Sequence, residues 1–371
     1  MSRAGVLGCV LLAACGRIGF DPTTGDGGAP DDTGDPPLGS RRAYLKAPSP
    51  LINAQFGHAV AISSDGLTAA VAAPLAEKVG LVEAGMVHIF RRTGDTWAAA
   101  ESLFASNADA VDQFGWAVSL SGDGKTLAVG ARLEDSGGNP ADDSVMDAGA
   151  VYVFAETAGA LVEQAYIKPM VSDVNDAFGE NVALSADGNT LAVSSFYEDS
   201  ASRVINMSEA DNSAADAGAV YIFTRAGTAW TQQAYIKANN TDIGDGFGIG
   251  VSLSADGNTL AVGAHREDSA NTNPNDNALN NPGAAYVFTR SGTTWTLAAY
   301  VKPPTPEAGA NFGYSVAVSS DGAHLAVGSI GSMAAGGVFA STGSGAVWSV
   351  PTRYGETTPD ALDQLGFDTA I

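Results

Sequence analysis

Three stretches of this sequence gather oxygen ligands: 134–147, 198–216 and 267–281. Each opens on Glu-Asp-Ser (Glu134, Asp135, Ser136; Glu198, Asp199, Ser200; Glu267, Asp268, Ser269) and continues with more carboxylates and amides. Hard cations such as calcium take six to eight oxygens, and a flexible loop can converge them. The candidate ligands are Asp135, Asp142 and Asp147, then Asp199, Asp211 and Asp216, then Asp268 and Asp276. Their spacing fits no EF-hand, so two readings stand: calcium sites, or acidic loops that are simply solvated. The chain has 41 acidic against 18 basic residues and a formal net charge of −23. That balance argues against a nucleic-acid partner, which needs a basic footprint, and against direct docking on an anionic bilayer.

The loops belong to a repeated unit. Phe-Gly recurs at Phe56, Phe114, Phe178, Phe247 and Phe312, in steps of 58, 64, 69 and 65 residues, and Leu365-Gly366 opens a sixth copy 53 residues on. Self-similarity at this period signals a propeller or an array. In the unit 247–302, Val251–Leu253 and Leu260–Ala264 flank an Asp256-Gly257 hairpin turn. Ala284–Phe288 and Trp295–Val301 flank a second turn. Four short strands per unit, with no helical periodicity, predict an all-β β-propeller of four-stranded antiparallel blades. Five units are complete (about 43–104, 105–168, 169–237, 238–302 and 303–353), and 354–371 begins a sixth. Arg42–Lys46 resembles the fourth strand of the other units. The expectation is therefore a truncated six- or seven-bladed ring with an open edge, or alternatively a compact five-bladed one.

Phe-Gly, the Gly-Ala-type cassette after the second strand (Ala72-Ala73-Pro74 in the first unit) and the strand Gly149–Phe154 together resemble FG-GAP repeats, the units of integrin α propellers and of many bacterial surface proteins. The resemblance spans about 43–371. It implies a propeller and a binding role. Calcium in such repeats often sits in an Asp-x-Asp-x-Asp-Gly loop between the first two strands. Here that place holds only a short Ser-x-Asp-Gly turn, so a metal is not expected there.

At the N-terminus, Arg3 precedes a short apolar segment, Ala4–Leu12, too short to span a bilayer. Leu12-Ala13-Ala14-Cys15 resembles the lipobox of bacterial lipoproteins, which implies cleavage before Cys15 and lipidation of that cysteine. Gly16 after it is compatible with the outer membrane. The domain plan is thus a leader at 1–15, a Gly/Pro/Asp-rich tether at 16–40 and the propeller at 41–371. Cys9 and Cys15 are the only cysteines, so the propeller has neither disulfide nor thiol metal site.

Catalytic signals are weak. His58 and His88 lie in the first unit, His265 in the fourth and His324 in the fifth, and no nucleophile elbow, His-Glu-x-x-His or phosphate loop occurs. Asp65, Asp123, Asp187, Asp256 and Asp321 recur at one turn of every unit, which reads as turn chemistry rather than as an active site. No catalytic residue is assigned and the chain is expected not to be an enzyme. The expected function is an exported, lipid-anchored surface binding or adhesion module for a protein or glycan ligand, with its long loops as the recognition surface. A propeller enzyme acting on polysaccharide and a structural envelope protein are the alternatives.

Overall fold

The computed structural model describes residues 43–273, 276–331, 336–354 and 366–371. The expected leader with Cys15, the tether 16–40 and Leu365 lie outside the described residues. Those described form strands, turns and loops, with no helix among them.

Blade 1 comprises β1 (Val60–Ile62), β2 (Thr68–Ala73), β3 (Met86–Thr93) and β4 (Thr96–Leu103). Blade 2 comprises β5 (Ala117–Leu120), β6 (Thr126–Ala131), β7 (Ala150–Thr157) and β8 (Ala160–Ile167). Blade 3 has β9 (Phe178–Leu184), β10 (Thr190–Ser195), β11 (Ala219–Ala226) and β12 (Ala229–Ile236). Blade 4 has β13 (Phe247–Leu253), β14 (Thr259–Ala264), β15 (Ala284–Ser291) and β16 (Thr294–Val301). Blade 5 runs through β17 (Phe312–Val318), β18 (His324–Ser329) and β19 (Gly337–Ser344), then β20 (Val347–Trp348) and β21 (Thr352–Tyr354). Blades 1 to 4 are antiparallel meanders in chain order, as the repeat predicts, and in blade 5 both β20 and β21 pair with β19. The fourth strands of blades 1 to 4 carry a register shift at one shared position. In blade 5 that irregularity widens into a break at 349–351, where Pro351 has no N–H to give a ladder.

The period-2 pattern decides how the blades stack. Along β7, Tyr152 and Phe154 face blade 1, whereas Val151 and Val153 face blade 3. Each interface sets Ala and aliphatic residues of one blade against the Phe and Tyr residues of the next. Ala70, Ala72, Val87 and Ile89, for example, pack against Phe114, Tyr152 and Phe154. The second strands β2, β6 and β10 are buried along their whole length. No unit buries its faces alone; the core is the set of junctions.

Two hydrogen-bond systems lock the junctions. At one end of each blade, the Phe N–H of the Phe-Gly pair donates to the preceding blade: Phe114 to Ala84 O, Phe178 to Ala148 O, Phe247 to Ala217 O and Phe312 to Pro282 O, at 2.9–3.1 Å. At the other end, the residues before the Asp-Gly turns form a backbone chain. Ser64 N donates to Gly122 O, Gly122 N to Ala186 O, Ala186 N to Ala255 O and Ala255 N to Ser320 O, at 2.8–3.0 Å. The turn aspartates serve the turns themselves: Asp65, Asp123, Asp187, Asp256 and Asp321 each accept from a Ser hydroxyl two residues back and a backbone N–H two residues on.

The inner strands are arranged as in a six-sector ring. Gly366–Asp368 takes the sixth inner position, with Ser315 Oγ donating to Gly366 O at 2.9 Å. Ala43–Ala47 runs beside blade 1 without joining a ladder, and Leu45 packs on Ala69, Val71 and Phe90. Phe56 is accordingly only half-buried, whereas Phe114, Phe178, Phe247 and Phe312 are buried.

Gly149 sets the tolerance of one junction. Its φ is +78°, and a Cβ there would lie 2.2 Å from Phe178 O. Gly149→Ala is expected to cost about 3 kcal/mol or more through backbone strain and lost docking of blade 3, read as a fall in the urea unfolding midpoint. Gly159→Ala, with φ +88° but nothing near its Cβ, should cost less.

Candidate functional site

The acidic loops resolve into clasps. Glu134, Glu198 and Glu267 are at most 2% exposed, and each pairs with the lysine ending its own blade's fourth strand. Lys168 reaches Glu134 at 3.1 Å, and Lys237 and Lys302 reach Glu198 and Glu267 at 2.7 Å. The same ammonium groups donate to Gly149 O, Gly218 O and Gly283 O, the carbonyls beside the next blade's Phe-Gly. Tyr166, Tyr235 and Tyr300 donate their hydroxyls to the glutamates. Ser136, Ser200 and Ser269 close on the same carboxylates through their N–H groups. Burial pulls the three lysines below their usual range even against their partners' attraction.

The middle residue of Glu-Asp-Ser ties each loop back. Asp135 accepts from the N–H of Asp147, Asp199 from that of Asp216 and Asp268 from that of Asn281. Asp147, Asp216 and Asn281 take positive φ to make that return. Asp211 accepts from Ala201 N and Ser213 Oγ, Asp276 accepts from the Asn271 amide, and Asp142 is exposed. The eight candidate calcium ligands are spread over three loops: Asp135, Asp199 and Asp268 accept the loop-closing bonds, Asp211 and Asp276 accept within their own loops, and Asp147 and Asp216 enter through their backbone N–H. Among the described residues, no three His, Cys, Asp or Glu side chains group to hold a metal ion.

The clasp lysines and tyrosines were visible only as strand ends in the sequence. The usable signal was co-occurrence: units with Glu-Asp-Ser end in Tyr-x-Lys, whereas the first unit has Ala76 and Phe104 in the matching places. A second missed group is Asp112, Asp176 and Asp245, each two residues before its Phe. They are 3–5% exposed beside the clasp glutamates. Desolvation, with added repulsion from those glutamates, pushes Asp112 up to about 7 and Asp176 and Asp245 up to about 8.

The functional asymmetry lies on the axis. A cavity of about 640 Å³ is lined by the starts of all five inner strands together with Phe367 and Asp368. The residue after the glycine of each Phe-Gly, or of Leu-Gly, faces it: His58, Trp116, Glu180, Ile249, Tyr314 and Phe367. Around this mouth the Arg132 guanidinium lies 3.2 Å from the Trp116 ring centre and pairs with Glu180 at 3.2 Å. Gln113 holds Arg132 Nε at 3.0 Å. His58 packs on Trp116 at 4.3 Å, and burial followed by Arg132 lowers its pKa, so it is neutral near pH 7. Tyr314 meets Phe367 at 5.1 Å and His265 at 5.5 Å. His265 stacks near Phe196 and is pushed down to about 4 by burial. His88, by contrast, bonds Ser102 inside blade 1, and His324 lies on β18.

Five antiparallel blades about a common cavity, four of them four-stranded and the fifth with its last strand split in two, define a β-propeller. The FG-GAP repeat family matches residues 97–154 and 230–288, spans that run from a fourth strand into the third strand of the next blade. No curated protein matches the sequence. Among solved structures, the periplasmic gluconolactonase of Pseudomonas aeruginosa is similar with a TM-score of 0.52 and 15% identity, over 81% of this chain and 73% of that one. Hydrazine synthase of Kuenenia stuttgartiensis aligns with a TM-score of 0.45 and 16% identity over 76% of this chain and 64% of its own. The first likeness shows the fold. The expectation that the chain is not an enzyme is corrected by it: the architecture is one that a lactonase uses.

Two outcomes follow from the clasps. Glu198→Gln strands the Lys237 ammonium in a dry site and is expected to cost roughly 3–5 kcal/mol, whereas Asp142→Asn should stay within about 0.5 kcal/mol in the same urea titration. In the unfolded chain Asp112, Asp176 and Asp245 ionise near pH 4, roughly their unperturbed value. The folded protein keeps those protons up to about pH 7–8, so their effect is a stability that falls as pH rises through this window. Asp245→Asn should therefore raise the unfolding midpoint at pH 8 by an amount worth about 1 kcal/mol or more, a gain that vanishes toward pH 4.

Proposed function

We propose that this FG-GAP propeller is an exported surface binding module, anchored through Cys15, whose recognition surface is the loop-bearing end and the axial mouth. One observation carries the reading. Six positions equivalent in the repeat hold six different side chains, and all six converge on one cavity, whereas the buried positions around them are nearly constant. Packing alone would favour repetition there, as it does at the Phe of Phe-Gly. Loops anchored by clasps on rigid blades support the same reading, since recognition is commonly placed on loops over a stiff scaffold. The acidic surface suits life outside the cytoplasm and leaves membrane attachment to the lipid.

The clasps dictate how the reading is tested. Removing whole loops would delete Glu134, Glu198 or Glu267 and unfold the blades, so only the tips, such as 138–143, are exchanged for Gly-Ser. Binding of the purified protein to arrays of envelope glycans and surface proteins is expected to fall at least about tenfold on Arg132→Ala or on tip exchange, with the unfolding midpoint kept within about 1 kcal/mol. Binding indifferent to both changes would remove this surface from consideration.

A hydrolytic reading is favoured by one specific grouping, the neutral His58 with Arg132 and Glu180 at the mouth. A neutral imidazole can act as general base, and a guanidinium can stabilise a developing oxyanion. Ring opening of a δ-lactone such as gluconolactone, followed by acid release and abolished by His58→Ala, would establish it.

A further inference from the structure

We propose that the axial cavity binds a neutral saccharide ring. The proposal rests on the binding reading and narrows its ligand. The order of blades around the axis sets two unlike walls opposite each other. Trp116 and Glu180, on blades 2 and 3, face Tyr314 and Phe367, on blade 5 and the sixth inner position. The first wall is polar. Glu180 presents a carboxylate, Arg132 lies between it and Trp116, and Asn181 donates its amide to Ile249 O across the blade 3–blade 4 junction at 2.9 Å. The second wall is aromatic, with Tyr314 and Phe367 tilted at 42° to form a corner.

This division matches the two faces of a pyranose. Its axial C–H groups make an apolar face that packs on aromatic rings, and its hydroxyls pair with carboxylate and guanidinium groups. Charge decides between classes. Arg132 and Glu180 neutralise one another at 3.2 Å, and burial pushes the other lining carboxylate, Asp368, toward its neutral form, so the cavity offers hydrogen bonds with little net attraction for an anion or a cation. Arg132 also covers a face of Trp116, which leaves stacking to the opposite wall. The volume of about 640 Å³ lies within the range of small-molecule sites and exceeds a single hexose.

The test uses the whole propeller and a panel of neutral hexoses, N-acetylhexosamines and their disaccharides, with gluconate as the anionic control, read by saturation-transfer NMR and calorimetry. At least one neutral sugar should bind with a Kd below about 10 mM and more tightly than gluconate. Tyr314→Ala and Glu180→Gln should each weaken it about tenfold, and Tyr314→Phe, which keeps the ring and the packing, should not. If Tyr314→Ala fails to fold, Phe367→Ala reads the same wall. No neutral sugar binding below that limit, a preference for gluconate, or binding unmoved by changes to both walls would overturn the proposal. Binding of a surface ligand that persists in that case, and still depends on the loop tips, would leave the broader binding reading standing.

Discussion

The whole molecule depends on how closely one backbone approaches the next at each blade junction. Gly85, Gly149, Gly218 and Gly283 lie against the Phe of the following blade so tightly that a Cβ would come within 2.1–2.2 Å of its carbonyl oxygen. At that distance the Phe N–H reaches the preceding blade, and the Phe ring enters a pocket of small residues from one side and tyrosine, or Phe339 at Phe312, from the other. Junction geometry then sets the angle between blades, and the angle sets the width of the axial cavity. A side chain two bonds from the Phe-Gly pair has its position fixed by this contact rather than by its own packing. That is why the residue after the glycine can vary from Ile249 to Glu180 at little cost to the fold.

The clasps reinforce the same junctions from above. Burying a carboxylate and an ammonium costs more than a bare ion pair returns, unless every remaining donor and acceptor is satisfied. Here each glutamate accepts from lysine, tyrosine and a serine N–H, and each lysine spends another proton on the glycine carbonyl beside the next Phe. The charge pair thereby fastens the loop to the blade and the blade to its neighbour. Such an arrangement demands one register, which is of more use to a repeat protein than raw stability, because slipped pairings between similar blades are its natural competitors.

Much of this was legible in the sequence, and the legible part is what repetition reports. Alternation in Ala150–Phe154, the Asp-Gly turns and the Phe-Gly period led directly to blades, strand order and the turn role of Asp65 and its equivalents. Glu-Asp-Ser left two readings open, because carboxylates in a loop resemble cation ligands until their partners are known. Lys168, Lys237 and Lys302 lie 34, 39 and 35 residues further on, and nothing local ties them to the glutamates. The buried Asp112, Asp176 and Asp245 were hidden for a similar reason: an aspartate before Phe-Gly looks like an ordinary turn residue. The mouth was the least visible feature, since six unlike residues beside a constant pair look like drift along the chain and become a set only around an axis.

Repetition therefore has to be read in opposite senses at different depths. A residue repeated in every unit, such as the turn aspartates, answers a demand that every blade makes, and no single chemical event needs five copies of it. A residue repeated in only some units marks a local structural device. The clasps belong here: they occupy blades 2 to 4, whereas blade 1 has Ala76 and Phe104 in the matching places. Function that breaks the symmetry must use positions where the backbone repeats and the side chain does not. In this protein those positions form one ring around one cavity, with Glu180 and the Arg132-covered Trp116 on one side and Tyr314 and Phe367 on the other. A scaffold that held only packing information would have had no reason to vary them.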